Sequence, residues 1–156
     1  MSEAADPRAL RGPAETYDRH VGRYGAQLAC ALVEAAGVRP GERALDVGCG
    51  PGPLTRVLAD RLGAENVAAI DPSEAFVAAC RGRIPGADVR VAVAEELPFA
   101  SNEFDVVLAQ LVVQLMDDRD RGSARWCASR GRAVSSPPAS GTRAPCHCSS
   151  RSGTRR

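Results

Sequence analysis

The chain has 156 residues, enough for one domain with a sizeable hydrophobic core but not for two. It contains no run of about 18 apolar residues and no basic-then-apolar leader, so the sequence predicts a cytoplasmic protein that does not span a membrane. The net charge of +1 conceals two unlike parts: residues 119–156 carry 9 arginines against one acidic residue, and residues 1–118 carry 11 arginines against 18 acidic residues.

A flexible lead-in over residues 1–13 precedes a segment, 14–36, in which apolar side chains recur every three or four positions. This spacing predicts an amphipathic helix. Gly22 and Gly25 weaken its middle, so two shorter helices also fit the pattern. The expected apolar face consists of Tyr17, Val21, Tyr24, Leu28 and Leu32.

The central feature is segment 44–52, where a short apolar run gives way to glycines at alternate positions, Gly48, Gly50 and Gly52. A helical pattern follows and ends near Gly63. Strand, glycine turn and helix is the arrangement by which an open α/β sheet brings backbone N–H groups close to a ligand. Glycine suits such a turn because a Cβ would obstruct both its geometry and the approach of the ligand.

Three more strands are predicted, over 67–70, 88–93 and 104–109, and Ser73 is the expected N-cap of the helix after the second. Strands that alternate with helices predict an α/β protein, a Rossmann-like parallel sheet with helices on both faces. The carboxyl ends of parallel strands meet at one edge of the sheet, where ligands bind. Polar residues follow these strands, so we expect one polar rim formed by the glycine turn with Asp71, Glu95 and Gln110.

Two nucleoside ligands compete for this rim, a dinucleotide such as NAD and S-adenosylmethionine. Asp71 stands 21 residues after Gly50, where a carboxylate can accept hydrogen bonds from both hydroxyls of an adenosine ribose. The dinucleotide fingerprint needs a third glycine at position 53, which is Pro53 here. Asp46 would attract the amino group of a methionine moiety but gains nothing from a pyrophosphate. The sequence therefore favours S-adenosylmethionine.

On these motifs, residues 14–118 resemble the class I S-adenosylmethionine-dependent methyltransferases, particularly the small-molecule branch. Segment 45–52 matches the first motif of that family position for position, and segments 71–73, 94–99 and 104–105 match its next landmarks in order. The resemblance covers about two-thirds of the chain. It implies a partial cofactor-binding domain over 14–118 and methyl transfer to an unidentified small-molecule acceptor.

The resemblance also implies a role for each matched position. Asp46 and the backbone over 48–52 would hold the methionine end of the cofactor, and Asp71 would bind the ribose hydroxyls. Glu95 would lie near the adenine amino group, and the backbone at Gln110 would face the methionine amino group. The expected cofactor-binding residues are Asp46, Gly48, Cys49, Gly50, Gly52, Asp71, Pro72, Ala94, Glu95 and Gln110, with Tyr17, Arg23 and Tyr24 either covering the cofactor or packing the first helix.

Methyl displacement from a sulfonium needs no general base, and the sequence identifies no catalytic residue.

Cys30 and Cys80 fall on apolar faces of predicted helices, which indicates core positions. The segment Cys146–Cys148 has the composition of part of a zinc site but needs Cys127 to complete four ligands, so we expect no metal.

After Asp118 the family pattern requires a further helix, a turn and a fifth strand, but this sequence is rich in Arg, Ser and Pro. One interpretation is an irregular, disordered basic tail over 119–156, and another is a nucleic-acid-binding arm, although Trp126 is its only aromatic residue. A third is a frameshift, because suitable codons for residues 122–142 read one nucleotide earlier encode the missing elements. We favour the third, which would leave the sheet incomplete at its C-terminal side and its fourth strand an exposed edge.

Two classes of function follow. The first is a methyltransferase acting on a small molecule, with nucleic acid an unfavoured partner. The second is a non-catalytic truncated or frameshifted product that keeps a cofactor-binding core and whose basic tail binds nucleic acid non-specifically. A dehydrogenase is a distant third. The acceptor and the oligomeric state do not follow from the sequence.

Overall fold

A computed structural model describes residues 23–111 and one further strand, Arg132–Ser135. The strands form one parallel sheet in the order β3-β2-β1-β4-β5, which confirms the predicted Rossmann-like parallel sheet. None of the helices in these residues is both long enough and apolar enough to cross a membrane. In chain order the elements are α1 (Arg23–Ala35), β1 (Ala44–Val47), α2 (Pro53–Leu62), a 3-10 helix (Ala64–Asn66), β2 (Val67–Asp71), α3 (Glu74–Arg83), β3 (Asp88–Val91), β4 (Val106–Ala109) and β5 (Arg132–Ser135).

The central strands form from short apolar runs because both of their faces are covered. Every residue of β1, β2 and β4 is buried, as expected for strands inside a parallel sheet. At the edge, β3 ends at Val91 rather than at the predicted Val93. The N–H of Ala92 still donates to the carbonyl of Asp71 (3.2 Å), but β2 ends there and offers residue 93 no partner.

The two faces of the sheet are covered differently. Helices α1 and α2 pack on one face, against Ala44 and Leu108, and α3 packs on the same face farther along, against Ala69. Leu97 and Phe104, in the connection between β3 and β4, pack on the other face. In residues 23–111 the helices therefore lie on one face, and an extended connection covers the other.

The face that helix α1 turns to the core overlaps only in part with the predicted one. Leu32 is buried as predicted and Leu28 is half-buried, but Gly25 is buried as well, and the side chain of Tyr24 is 65% exposed, so the prediction for Tyr24 is wrong. The reason lies at Gly25, where a Cβ would stand 3.4 Å from Cβ of Pro53. Without a side chain, this turn of α1 comes close to the start of α2. Cys30 is exposed, which corrects the prediction that it belongs to the core.

Strand β5 corrects the expectation that β4 is an unpaired edge. It runs parallel to β4, with Val106 opposite Arg132 and Ala109 opposite Ser135. Ladder pairing uses only backbone N–H and C=O groups, which every non-proline residue supplies, so a segment without apolar periodicity can still provide a strand. The lead-in over residues 1–13, the rest of the basic segment and Cys146–Cys148 lie outside the described residues. The domain limits and the frameshift remain predictions.

Candidate cofactor site

The candidate site lies at the carboxyl ends of the central strands. On β1, Asp46 pairs with Ala69 of β2 on one side and with Leu108 of β4 on the other. The glycine turn 48–52 follows β1, Asp71 ends β2, and Gln110 directly follows β4. The structure thus brings three of the four parts of the predicted rim, the glycine turn, Asp71 and Gln110, together at the ends of three adjacent strands.

The glycine turn needs glycine for its backbone, since Gly48, Gly50 and Gly52 have φ values of 72, 53 and 99°. Its N–H groups are bound to the protein. Those of Gly48 and Cys49 both donate to the carbonyl of Ile70, at 2.8 and 2.9 Å, and that of Gly52 donates to the carbonyl of Cys49 at 3.0 Å. The N–H of Gly50 donates to Asp71, and residue 51 is proline. This corrects the expectation that the turn presents N–H groups to a ligand, and it removes the donors that a pyrophosphate would need.

Cys49 and Gly52 connect the turn to α3. A Cβ on Gly52 would stand 2.9 Å from both Sγ of Cys80 and Cδ1 of Ile84, so the turn and α3 are in direct contact. The side chain of Cys49 is buried beside Val77, Cys80 and Ile84. Any contact of Cys49 with a ligand at the rim would therefore use its backbone.

Two backbone N–H groups bind the carboxylate of Asp71, one from the glycine turn and one from the segment after β2. Its Oδ2 accepts the N–H of Gly50 and its Oδ1 accepts the N–H of Ser73, both at 2.9 Å. Burial raises the pKa of Asp71, and these two hydrogen bonds act in the opposite direction. Each carboxylate oxygen can accept a further hydrogen bond, so a pair of vicinal hydroxyls has suitable acceptors here.

Asp46 is fully buried and only half satisfied. Its Oδ2 accepts a hydrogen bond from Oγ1 of Thr55 at 2.7 Å, whereas Oδ1 has no hydrogen-bond partner among the described residues. Thr55 was missed by the sequence reasoning, although it is a polar residue on the apolar face of α2, next to Leu54 and one turn before Leu58. Burial raises the pKa of Asp46 from 3.8 to about 7, against the effect of the Thr55 hydrogen bond.

This raised pKa of Asp46 predicts an unusual pH dependence of stability. The folded state binds the proton more tightly than the unfolded state, so the free energy of unfolding should fall as pH rises from about 4 to about 7, and then level off. We expect Asp46→Asn to reduce this slope and to leave the part due to Asp71, whose pKa burial also raises. Urea unfolding between about pH 5 and about pH 8 measures it, with Asp60→Asn on the exposed side of α2 as the control that should keep the wild-type slope. An unchanged slope in Asp46→Asn would contradict the assignment.

Gln110 joins the rim to α1. Its Nε2 donates to the carbonyl of Gly25 at 2.9 Å, a contact between residues 85 positions apart. Its Oε1 is buried and, like Oδ1 of Asp46, has no hydrogen-bond partner within residues 23–111 or the strand 132–135. The next residue, Leu111, has a φ of 60°, a left-handed conformation that is costly for a leucine and recurs at functional sites.

The connection after β3 carries two predicted site residues, Ala94, which is buried, and Glu95, which is half-buried. Arg90 fastens this connection to β3. Its Nη1 donates to the carbonyl of Pro98 at 2.8 Å, and its guanidinium lies 4.5 Å from the ring centroid of Phe99. The contact of Ala94 and Glu95 with adenine stays a prediction.

Four predicted site residues remain, Pro72, Arg23, Tyr24 and Tyr17. Pro72 is exposed just after Asp71, Arg23 begins α1, and Tyr24 follows it with its side chain in solvent. Tyr17 lies outside the described residues. Their contacts with a cofactor also stay predictions.

Within residues 23–111 and 132–135, no group of three His, Cys, Asp or Glu side chains could hold a metal ion.

Known proteins share this fold and these motifs. Residues 45–129 match the family described as "Methyltransferase domain". The chain is 33% identical over 97 residues to the ubiquinone/menaquinone biosynthesis C-methyltransferase UbiE of Stenotrophomonas maltophilia, covering 58% of this chain and 38% of that relative. It is 32% identical over 136 residues to the malonyl-[acyl-carrier protein] O-methyltransferase of Pseudescherichia vulneris, covering 87% of this chain and 49% of that relative. The chain thus spans less than half the length of these two curated relatives.

Among solved structures, the geranyl diphosphate C-methyltransferase of Streptomyces coelicolor, in complex with Mg2+, geranyl diphosphate and S-adenosyl-L-homocysteine, superposes with a TM-score of 0.65 at 19% identity. The superposition covers 83% of this chain and 54% of that one, and it shows a shared fold. Since the family match spans more than half of its residues, the chain belongs to the methyltransferase domain family. This membership confirms the predicted class, the class I methyltransferases that use S-adenosylmethionine.

Proposed function

We propose that this chain binds S-adenosylmethionine at the rim formed by residues 46–52, Asp71 and Gln110, and transfers its methyl group to a small-molecule acceptor. When bound, the cofactor supplies a methyl group already activated on a sulfonium. The work of the protein is then to hold the methyl donor and the acceptor in line and to exclude water.

One observation carries this proposal: two buried oxygens, Oδ1 of Asp46 and Oε1 of Gln110, have no hydrogen-bond partner in the described part of the chain. Asp46 lies on β1, and Gln110 directly follows the adjacent strand β4, at the ends of the strands that face the rim. A buried acceptor without a donor lowers the stability of the folded protein. A ligand that brings donors or positive charge to these two oxygens would remove that cost. The methionine moiety of the cofactor supplies an ammonium group, and its sulfonium supplies a second positive charge.

The rest of the rim fits the same ligand. Asp71 keeps acceptor capacity for the two ribose hydroxyls, and the turn keeps no N–H for a phosphate. A nicotinamide dinucleotide would bring a pyrophosphate to the turn, where Asp46 and Asp71 lie and the N–H groups are bound. The site therefore favours a cationic nucleoside over an anionic dinucleotide.

The names of the relatives support a small-molecule acceptor. One acts in ubiquinone and menaquinone biosynthesis, and another methylates a malonyl group carried on acyl carrier protein. A release assay for S-adenosylhomocysteine, run with the full chain and a panel of quinols, enols and carboxylic acids, tests this part of the proposal, and no release with any of them would argue against it.

Cofactor binding is tested by thermal unfolding of the full chain with and without S-adenosylhomocysteine. At about 100 times its dissociation constant, a ligand of the folded state should add about 2.7 kcal/mol to the free energy of unfolding. We expect the unfolding transition to move upward with S-adenosylhomocysteine and not with NAD. A shift with NAD alone, or with neither, would reject the proposal.

Comparison of two ligands tests the part played by Asp46. 5′-Methylthioadenosine has the adenine, ribose and sulfur of the cofactor but lacks the amino acid. We expect Asp46→Asn to weaken S-adenosylhomocysteine binding about tenfold, or about 1.4 kcal/mol, and to change methylthioadenosine binding less than about twofold. Isothermal titration calorimetry measures both affinities. Equal losses for the two ligands would mean that Asp46 shapes the turn rather than faces the amino acid.

A further inference from the structure

Two buried thiols lie in contact directly beneath the glycine turn. Cys49 belongs to the turn and Cys80 to α3, and their exposed fractions are 3% and 0%. The Cys49 thiol donates to the carbonyl of Gly50 at 3.5 Å, and both side chains belong to one cluster with Ala69, Val77 and Ile84. Neither thiol takes part in the function proposed above, and neither is in a disulfide.

The thiol pair is connected to the site through Thr55. Hydrogen bonding with Cys49 and with Thr55 lowers the pKa of the Cys80 thiol, and Oγ1 of Thr55 donates to Oδ2 of Asp46 at 2.7 Å. Sγ of Cys80 also stands 2.9 Å from the point that a Cβ on Gly52 would occupy. A displacement of the Cys80 sulfur would therefore move both the glycine turn and the side chain of Thr55, which donates to Asp46.

We propose that Cys49 and Cys80 are a redox modification site whose disulfide disables the cofactor site. With a peroxide as oxidant, the sulfur of Cys80 attacks the peroxide and becomes a sulfenic acid, releasing one water. The sulfur of Cys49 then displaces that hydroxyl, so the S–S bond forms and a second water leaves. In total, two thiols lose two hydrogen atoms and one hydrogen peroxide is reduced to two waters.

The order of attack follows from the contact between the sulfurs. Their hydrogen bond lowers the pKa of the Cys80 thiol and raises the pKa of the Cys49 thiol, so Cys80 ionises first. The thiolate is the form that reacts with an oxidant. Because both sulfurs are buried, only an oxidant as small as peroxide is expected to reach them without unfolding.

The consequence for binding follows from bond length. A disulfide bond of about 2.05 Å is far shorter than any non-bonded contact between two sulfurs, so its formation draws the turn and α3 together. That movement changes the position of Gly50, which holds Asp71, and removes the Cys80 partner of Thr55. The effect on the cofactor rests on the proposed function, whereas formation of the disulfide does not.

Peptide mapping of the full chain tests the cross-link without any substitution. The chain has no lysine, so trypsin cuts only after arginine and leaves Cys49 in peptide 44–56 and Cys80 in peptide 62–81. After hydrogen peroxide and alkylation of the remaining thiols, we expect these two peptides to be joined and to separate on reduction. Peroxide treatment that leaves them unlinked, while the exposed Cys30 is oxidised, would overturn the proposal.

Calorimetry with S-adenosylhomocysteine tests the consequence. Oxidation should weaken binding by at least about tenfold and reduction should restore it, whereas Cys80→Ser should bind equally before and after peroxide. Cys30→Ser is the matched control and should lose affinity as the wild type does. A cross-linked protein with unchanged affinity would overturn the switch. If the reduced protein does not bind, the proposed function fails, and the peptide map still decides the cross-link.

Discussion

Replacing Gly52 with alanine should lower the free energy of unfolding by about 3 kcal/mol, the largest loss that we expect from a single methyl group in this chain. Two costs add at this residue. The backbone φ of 99° lies in the left-handed region, which costs a non-glycine residue about 1 to 2 kcal/mol. The new Cβ would also stand 2.9 Å from Sγ of Cys80 and Cδ1 of Ile84, in a buried cluster that has little room to yield.

Two other glycines separate these costs. Gly41 has a φ of 86° but no atom within 4 Å of a built Cβ, so Gly41→Ala should show the backbone cost alone, about 1 kcal/mol. Gly82 is a helical glycine in α3, also with nothing within 4 Å, so Gly82→Ala should stabilise the protein by up to about 1 kcal/mol. Urea unfolding of the three variants measures the series. If Gly52→Ala lowers the free energy of unfolding no more than Gly41→Ala does, α3 can shift away from the new methyl group without loss of stability.

The parts of the site that the sequence predicted are the parts set by local patterns. The strand and turn over 44–52 are read from consecutive residues, and so is Asp71 at the end of β2. Ser73 is confirmed as the N-cap of α3, since its Oγ accepts the N–H of Phe76 at 3.4 Å. Each of these depends on residues within a few positions of one another, where spacing carries the information.

The parts that escaped prediction depend on contacts between distant residues. The bond from Gln110 to the carbonyl of Gly25 joins β4 to α1, and nothing in either segment indicates the other. Two N–H groups of the turn, those of Gly48 and Cys49, donate to the carbonyl of Ile70 on the neighbouring strand, which a glycine pattern cannot reveal. The exposure of Tyr24 follows from the close approach of Gly25 to Pro53, again a tertiary contact that overrides helical periodicity.

Strand β5 shows a different limit. The basic segment lacks the apolar periodicity from which strands are predicted, yet its backbone pairs with all four residues of β4. The composition that suggested an irregular tail concerns side chains, whereas parallel pairing uses peptide groups. Resequencing the gene across residues 119–142 decides whether the natural chain carries this segment or the one encoded one nucleotide earlier. An intact frame in independent isolates would count against the frameshift.

Asp71→Asn should abolish tight cofactor binding, the largest functional effect that we expect. The carboxylate accepts the N–H groups of Gly50 and Ser73, and under the proposed function it also accepts both ribose hydroxyls. An asparagine at this position has only one acceptor oxygen, and its NH2 group would face N–H and O–H groups that need an acceptor. Losing two charge-assisted hydrogen bonds costs about 3 kcal/mol, so S-adenosylhomocysteine and methylthioadenosine should both bind at least about 100-fold more weakly.

The matched control is Asp105→Asn at the opposite edge of the sheet. Asp105 also holds a backbone N–H, since its Oδ2 accepts that of Arg43 at 2.9 Å, but both residues lie at the amino ends of β1 and β4. Asp105→Asn should lower the free energy of unfolding as Asp71→Asn does, because each loses a carboxylate that accepts a backbone N–H. It should change the affinities for S-adenosylhomocysteine and methylthioadenosine by less than about twofold. Calorimetry at matched folded fraction distinguishes the two variants. Equal losses of affinity would mean that carboxylate-to-backbone bonds act through stability alone, and Asp71 would then have no part in binding the ribose.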